Sequence, residues 1–146
     1  MDATLRERAL RMLARRDYTR RELARKLAGE QSSTPSVDAV LEALSAQGLL
    51  SDERYALSRS HSRSKVLGNS RLAGELRAKG VADELIRTAL SSAEDETVRA
   101  RRIWQRKFGE LPTNATEYAR QARFLATRGF AGETIRQILK SSPESD

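Results

Sequence analysis

The single histidine of the chain, His61, stands between two serines and is the first place where chemistry could reside. A histidine can activate a serine hydroxyl as a nucleophile when the two side chains face each other. Ser60 and Ser62 are its direct neighbours, and adjacent residues of a helix do not face one another. No third member of a catalytic triad is evident. We therefore interpret His61 as a structural or merely exposed residue.

Three consecutive acids, Glu94, Asp95 and Glu96, are the second such place. Carboxylates can hold a divalent cation, but acids at the start of a helix are also favoured by the helix dipole. The helix interpretation explains them better. The sequence contains no glycine-rich phosphate loop, no HExxH pair, no EF-hand pattern and no cysteine. We therefore expect no catalytic residue, no cofactor and no metal, in a protein that is not an enzyme.

The basic residues are the main chemical resource of the chain. There are 27 of them against 20 acids, which gives a net charge of +7. Only five are lysines, and the planar guanidinium of arginine suits bidentate bonding to phosphates and carboxylates. Both DNA and an acidic protein surface are therefore plausible partners. A GC-rich genome would also enrich arginine over lysine, although it would not explain the net charge.

Helical spacing indicates which of these cations face outward. With 100° between residues, Arg21 and Arg25 point away from the apolar residues Leu23 and Leu27. A solvated helix face that needs no partner remains the alternative for any single arginine. The candidates for contact with a partner are Arg16, Arg20, Arg21, Arg25, Lys26, Arg63, Lys65, Arg71, Lys79, Arg99, Arg102, Arg106, Lys107 and Arg120.

The same geometry places Arg99, Arg102 and Arg106 opposite Ile103 and Trp104 on the seventh predicted helix. Repeated helices with such rows would form a long cationic stripe, which would attract phosphates in a salt-dependent manner or pair with carboxylates. Sequence-specific reading of DNA is not expected, because neither a helix-turn-helix signature nor a zinc site occurs.

The elements that carry these residues are all predicted to be helices. Hydrophobic residues make up 38% and charged residues 32% of the chain, which favours many short amphipathic helices over one large core. No segment alternates with a period of two, so no sheet is predicted. No apolar run approaches the roughly 20 residues of a membrane span. With the absence of cysteine, this favours a cytoplasmic protein.

An internal repeat organises the helices. Residues 76–90 are echoed 49 positions later by residues 125–139, and a looser first copy carries an insertion around residues 31–35. Each copy reads as three helices. We therefore predict an all-α, elongated array of three tandem three-helix repeats. The predicted boundaries are 1–50, 51–92 and 93–141, followed by a flexible tail at 142–146.

Local signals mark the ends of several helices. Thr19 and Glu22 form a capping-box pattern at the start of the second helix. Asn114 is a candidate cap for the eighth helix. Gly80 and Gly129 stand where a left-handed residue ends a helix, and an apolar residue follows each of them.

Five segments of the chain form a recognisable set: residues 9–27 (ALRMLARRDYTRRELARKL), 48–56 (GLLSDERYA), 68–81 (GNSRLAGELRAKGV), 104–109 (WQRKFG) and 123–130 (RFLATRGF). Together they resemble the RecX family, whose members regulate the RecA recombinase. They cover nearly the whole chain, and each motif is weak alone but specific in combination. The usual proline after the glycine of the third motif is Asn69 here.

This resemblance implies three tandem three-helix repeats and a protein that binds in the groove of the RecA filament on single-stranded DNA. It implies inhibition of the ATPase and strand-exchange activities of RecA, and DNA binding is also attributed to the family. We expect a monomer without membrane contact. The alternatives are a sequence-independent DNA-binding helical protein that has no RecA partner, and a helical scaffold that binds neither.

Overall fold

The computed structural model describes residues 4–29 and 36–140. Within these ranges it contains nine helices and no strand, which confirms the all-α class. The predicted insertion at residues 31–35 and the predicted tail at 142–146 lie outside the described residues. The helices are α1 (Leu5–Arg15), α2 (Arg20–Leu27), α3 (Val37–Ala46), α4 (Asp52–Arg63), α5 (Asn69–Ala78), α6 (Asp83–Ser91), α7 (Glu96–Lys107), α8 (Ala115–Thr127) and α9 (Gly132–Lys140).

Successive triplets of helices form three units: α1–α3 are unit 1, α4–α6 are unit 2 and α7–α9 are unit 3. The closely packed helix pairs all lie within a unit, as expected for an elongated tandem array. Each unit encloses its own apolar core, to which all three of its helices contribute. Buried members are Leu5, Leu23 and Leu44 in unit 1, Ala56, Leu76 and Ile86 in unit 2, and Trp104, Leu125 and Ile138 in unit 3.

The predicted caps are present at the helix starts. The Thr19 hydroxyl accepts the Glu22 N–H at 3.1 Å, and the Glu22 carboxylate accepts the Thr19 N–H at 3.0 Å. The Asn114 side chain accepts the Glu117 N–H at 2.8 Å at the start of α8. These bonds satisfy N–H groups that have no partner within the helix, so the sequence signals fix where α2 and α8 begin.

The predicted glycine ends of α5 and α8 are also confirmed. Gly80 and Gly129 have φ of 91° and 93°, a backbone conformation that costs glycine little. The following residues, Val81 and Phe130, are buried, and the Val81 N–H returns to the Leu76 carbonyl at 3.1 Å. The chain therefore turns sharply at the same point in units 2 and 3. Within the described ranges no helix has the length and apolar composition to cross a bilayer.

Candidate partner-binding surface

The junction between units 2 and 3 is built largely from main-chain atoms. The Gly68 N–H donates to the Arg128 carbonyl at 2.7 Å, and the Ser70 N–H donates to the Gly129 carbonyl at 3.1 Å. A side chain at Gly68 would overlap the Gly129 main chain. The start of α5 therefore sits directly on the turn that ends α8, and a residue without a side chain is required at the contact.

The junction between units 1 and 2 repeats this arrangement 49 residues earlier. The Thr19 hydroxyl donates to the Lys79 carbonyl at 2.6 Å, beside the turn that ends α5. The Arg21 guanidinium donates to the Ala78 carbonyl, and a Cβ at Gly80 would lie 2.7 Å from the Arg21 Cβ. In both junctions the start of the second helix of one unit, α2 or α5, therefore docks on the carbonyl end of the second helix of the following unit, α5 or α8.

An acid from the following unit completes each junction. Asp52, the first residue of α4, accepts the Arg20 N–H at 2.8 Å, and Glu96, the first residue of α7, accepts the Asn69 N–H at 2.7 Å. Glu96 also accepts the hydroxyl of Thr134 at 3.0 Å. A proline at position 69 would lack the N–H that Asn69 donates to Glu96.

The outward orientation predicted for Arg99 is wrong. Its side chain is buried, with only 2% exposed, and its guanidinium donates to the carbonyls of Glu94 at 2.8 Å, Ser64 at 3.2 Å and Leu67 at 2.7 Å. It also donates to the Asn69 side-chain oxygen. Burial lowers the pKa of Arg99, against the raising influence of nearby acids. This residue joins units 2 and 3 and is not available to a partner.

Several of the predicted cations are paired with acids of the protein itself. The closest pairs are bidentate: Arg63 Nη2 lies 2.8 Å from Glu75, and Arg102 Nη2 lies 2.8 Å from Glu94. Each pair lowers the pKa of its carboxyl group, chiefly through the hydrogen bond from the arginine. The remaining pairs are Arg20 with Glu42 at 3.0 Å, Lys79 with Glu22 at 3.3 Å and Arg16 with Glu22 at 3.7 Å.

Glu22 lines a charged cleft of about 430 Å³ between units 1 and 2 and forms salt bridges with two of its cations, Lys79 and Arg16. Burial raises its pKa, but the Thr19 N–H, Lys79 and Arg16 outweigh that effect, so the net pKa is lowered. Its side chain is only 13% exposed, whereas Lys79 and Arg16 are about half exposed. The cleft therefore has most of its charge already balanced.

Arg21 and Arg71 serve the junctions through carbonyl groups. Arg21 donates to the Ala78 carbonyl, and Arg71 Nη1 donates to the Thr127 carbonyl at 2.9 Å. Both residues are exposed overall. Their guanidinium groups are therefore held at the surface by these bonds, and neither forms a salt bridge with an acid in the part of the chain that the structure describes.

Exposed cations of unit 1 form one surface without acid partners in the described part of the chain. Arg25 and Lys26 were predicted, whereas the sequence reasoning missed Arg11 and Arg15. Lys26 lines two neighbouring clefts, one shared with Arg11 and Arg15 and the other with Arg25 and Lys79. We call Arg11, Arg15, Arg25 and Lys26 the α1–α2 cationic surface. The same helical spacing rule, applied to α1, finds the two missed residues.

A second group lies on unit 3. Lys107 and Arg120 were predicted and hold their charges over the rings of Phe124 and Phe108, at 5.5 Å and 5.3 Å from the centroids. Arg128, which was not predicted, lies 5.0 Å from the Phe124 centroid. No sequence signal marks this arrangement, because the two rings meet between separate helices. The other predicted cations without a described acid partner are Lys65 and Arg106, both exposed.

The histidine, serine and acids first considered as catalytic or metal-binding groups are exposed or engaged in other contacts. His61 is exposed, and Ser60 is buried and donates to the Ala89 carbonyl at 3.1 Å. Asp95 caps α7 by accepting the Val98 N–H, while Glu94 pairs with Arg102. The residues that the structure describes hold no group of acids or histidines suited to a metal ion. Contact of the exposed cations with a partner stays a prediction.

Sequence models of one family match three successive segments of the chain. They describe the first, second and third three-helix domains of RecX and match residues 6–44, 51–90 and 94–139. The first, second and third domain models therefore match units 1, 2 and 3 in that order. Two crystal structures share this fold. RecX from Lactobacillus salivarius has a TM-score of 0.81 at 20% identity, over 93% of this chain and 92% of that one. A further regulatory protein RecX has a TM-score of 0.80 at 22% identity, over 94% and 72%.

Full-length relatives are closer in sequence. A regulatory protein RecX from Chromobacterium violaceum is 44% identical over 143 residues, which cover 98% of this chain and 93% of the relative. Another from Leptothrix cholodnii is 43% identical over 138 residues, which cover 94% and 88%. These identities over nearly full lengths, together with the three domain matches, confirm the resemblance found in the sequence. The chain belongs to the RecX family of regulatory proteins.

Proposed function

We propose that this protein binds the RecA nucleoprotein filament on single-stranded DNA and inhibits its ATPase and strand-exchange activities. It acts in this proposal as a cytoplasmic monomer. The observation that carries the proposal is the α1–α2 cationic surface, where Arg11, Arg15, Arg25 and Lys26 are exposed and have no acid partner among the described residues. Membership of the RecX family supports RecA as the partner.

The array suits a partner with an extended, regularly spaced surface. Its units are joined by hydrogen bonds at both junctions, between main-chain atoms at units 2 and 3 and through the side chains of Thr19, Arg21 and Asp52 at units 1 and 2, so the cations keep their spacing along the molecule. A rigid array that contacts several neighbouring subunits of a filament binds best when those subunits hold one relative arrangement. Binding therefore favours that arrangement and opposes the changes that hydrolysis and strand exchange need. Charge complementarity supplies orientation and speed of association.

Suppression of DNA-dependent ATP hydrolysis by RecA tests the proposal. The purified protein should reduce the rate on single-stranded DNA in a concentration-dependent manner. The fourfold variant Arg11→Gln, Arg15→Gln, Arg25→Gln and Lys26→Gln should need about tenfold more protein for half-maximal suppression, equivalent to about 1.4 kcal/mol of binding. Its far-UV circular dichroism should be unchanged, because these side chains are exposed.

A variant with the same loss of charge is the control. Arg20, Arg77, Arg102 and Arg136 are exposed or half-exposed and already paired with acids, so their replacement by Gln should change suppression much less. Equal losses in the two variants would reduce the effect to net charge and reject the α1–α2 cationic surface as the site. Wild-type protein that binds DNA in a salt-sensitive manner without any effect on RecA would favour the sequence-independent DNA-binding alternative.

A further inference from the structure

The cations over the two rings of unit 3 differ from most other cations of the protein in what holds them. The Phe108 and Phe124 rings meet edge to face with centroids 5.4 Å apart, and Lys107, Arg120 and Arg128 each lie within 5.5 Å of one of these rings. We call these five residues the aromatic–cation cluster. Because the two rings are in contact, all three charged groups belong to one region of the unit 3 surface.

The rings fix the cations without neutralising them. A cation over an aromatic face is attracted by the ring quadrupole, which leaves its full positive charge in place. None of the three cations forms a salt bridge with a described residue. Glu117 lies near enough to Arg120 to feel its charge, but its carboxylate is occupied by the N–H and hydroxyl of Thr113. The cluster therefore presents three unpaired positive charges in a fixed arrangement.

The surface also offers planar groups. Phe108, Phe124 and Arg128 are half-exposed, and Lys107 and Arg120 are exposed. Arg120 and Arg128 lie over the rings, so the planar groups nearest to a ligand are their guanidinium groups, on which nucleobases can stack while phosphates pair with the positive charges. A carboxylate-rich protein segment would use only the charges. Planar and cationic groups in one patch thus favour single-stranded nucleic acid over an acidic peptide.

We propose that the aromatic–cation cluster of unit 3 binds single-stranded DNA without sequence preference, by contact of Lys107, Arg120 and Arg128 with its phosphates. The site deepens the proposed function and rests on it, since the RecA filament holds such a strand. It is separate from the α1–α2 cationic surface, which lies two units away along the array. The occupant is the DNA strand, so the site can be tested without RecA.

The test is titration of fluorescein-labelled oligo(dT) with the full-length protein, followed by anisotropy at several KCl concentrations. The triple variant Lys107→Gln, Arg120→Gln and Arg128→Gln should lose about tenfold or more in affinity at low salt. The slope of log K against log salt should fall by about 2, because each phosphate contact on a single strand contributes about 0.7. The double variant Arg120→Lys and Arg128→Lys keeps the charges but lacks the guanidinium planes, so it should keep the salt slope and lose clearly less affinity than the triple variant.

The control removes three positive charges that are already paired. Arg77, Arg102 and Arg136 form salt bridges with Asp83, Glu94 and Glu133, and their joint replacement by Gln gives the same net charge. This control should keep the salt slope and most of the affinity. An equal loss in the control and in the triple variant would overturn the proposal, because net charge alone would explain it. An equal loss in the double lysine variant and in the triple glutamine variant would also overturn it.

Suppression of the RecA ATPase, measured in parallel, separates the two proposals. A triple glutamine variant that binds oligo(dT) normally but no longer suppresses the RecA ATPase would show that the cluster contacts RecA and not the DNA strand. That result would overturn the DNA site and leave the proposed function standing. Wild-type protein without any effect on RecA would reject the proposed function, while the oligo(dT) titration would still decide the DNA site.

Discussion

Arg99 is an arginine whose charged group lies in the interior of the protein, between two units. Three main-chain carbonyls and the Asn69 side chain accept hydrogen bonds from it. Burial of a guanidinium is costly unless its donors find partners, and here the partners are fixed by the surrounding backbone. The carbonyls of Ser64 and Leu67 both accept from the same guanidinium nitrogen, Arg99 Nη1, so one substitution removes both bonds.

Replacement of Arg99 by Met should therefore destabilise the protein by about 1–3 kcal/mol, the usual cost of buried polar groups left without a partner. Lysine should not restore stability, because one ammonium group cannot reach acceptors arranged around a planar fork. Urea unfolding followed by circular dichroism measures the change. Arg102→Met, which removes an exposed arginine of the same helix, is the control and should leave the midpoint nearly unchanged.

The helical wheel failed at Arg99 for a physical reason. It placed this residue away from the core of its own unit: Arg99 lies about 140° from the buried Trp104, although only about 40° from Ile103, its neighbour one turn later. In an array, however, the side of a helix that faces away from its own core can face the neighbouring unit. Arg102, one turn away, does point outward as predicted. Sequence periodicity shows which face of a helix packs on the core of its own unit. It does not show which of the remaining faces is covered by a neighbouring unit.

At the scale of the element, the helix ends carry most of the architecture. The capping box at Thr19 and the glycines that end α5 and α8 were readable in the sequence, because each depends on residues only a few positions apart. Which helix start docks on which helix end could not be predicted from the sequence. This docking joins main-chain atoms about 60 residues apart, such as Gly68 and Arg128, and the glycine that this contact requires does not indicate its partner.

The turn at Gly129 should accordingly be sensitive to a single methyl group. Its φ of 93° disfavours other residues, and a Cβ would lie 2.6 Å from the main-chain nitrogen of Arg71. We expect Gly129→Ala to cost at least about 1–2 kcal/mol from the backbone conformation alone. Gly74→Ala, within α5 and with open space around it, should instead stabilise the protein by about 0.5–1 kcal/mol.

Urea unfolding of both variants gives the comparison directly. The two changes add the same methyl group to the same residue type, so a difference in sign isolates the turn. Equal effects of the two substitutions on the unfolding midpoint would contradict the role assigned to Gly129.

At the scale of the whole molecule, stability is a sum of three small cores and two junctions. The closely packed helix pairs lie within units, so the junctions alone couple the unfolding of one unit to the next. Sequence analysis found the three units because their apolar spacing repeats. It found the unpaired charges only in part, Arg25 and Lys26 in unit 1 and Lys107 and Arg120 in unit 3, since the full groups depend on which cations meet an acid or a ring in space.

A change at Gly68 should uncouple unit 3 from the other units. Trp104 is the only tryptophan of the chain and is buried in unit 3, where its indole N–H donates to Gln121 at 2.7 Å. Its fluorescence therefore reports on unit 3, whereas far-UV circular dichroism reports on all helices. In Gly68→Ala the added side chain overlaps the turn at Gly129, so the two urea midpoints should separate. In the wild type they should lie closer together, and an unchanged separation in the variant would argue against coupling through this contact.

The main-chain hydrogen bonds between units 2 and 3 have an evolutionary consequence. The Arg128 carbonyl accepts its bond whatever side chain this residue carries, so exposed positions of this junction can change while the buried Arg99 and the glycines at 68 and 129 keep the angle between the two units. Relatives can then change the charges that meet a partner while they keep the form that presents them. Backbones that stay similar at 20% sequence identity are the expected result of such junctions.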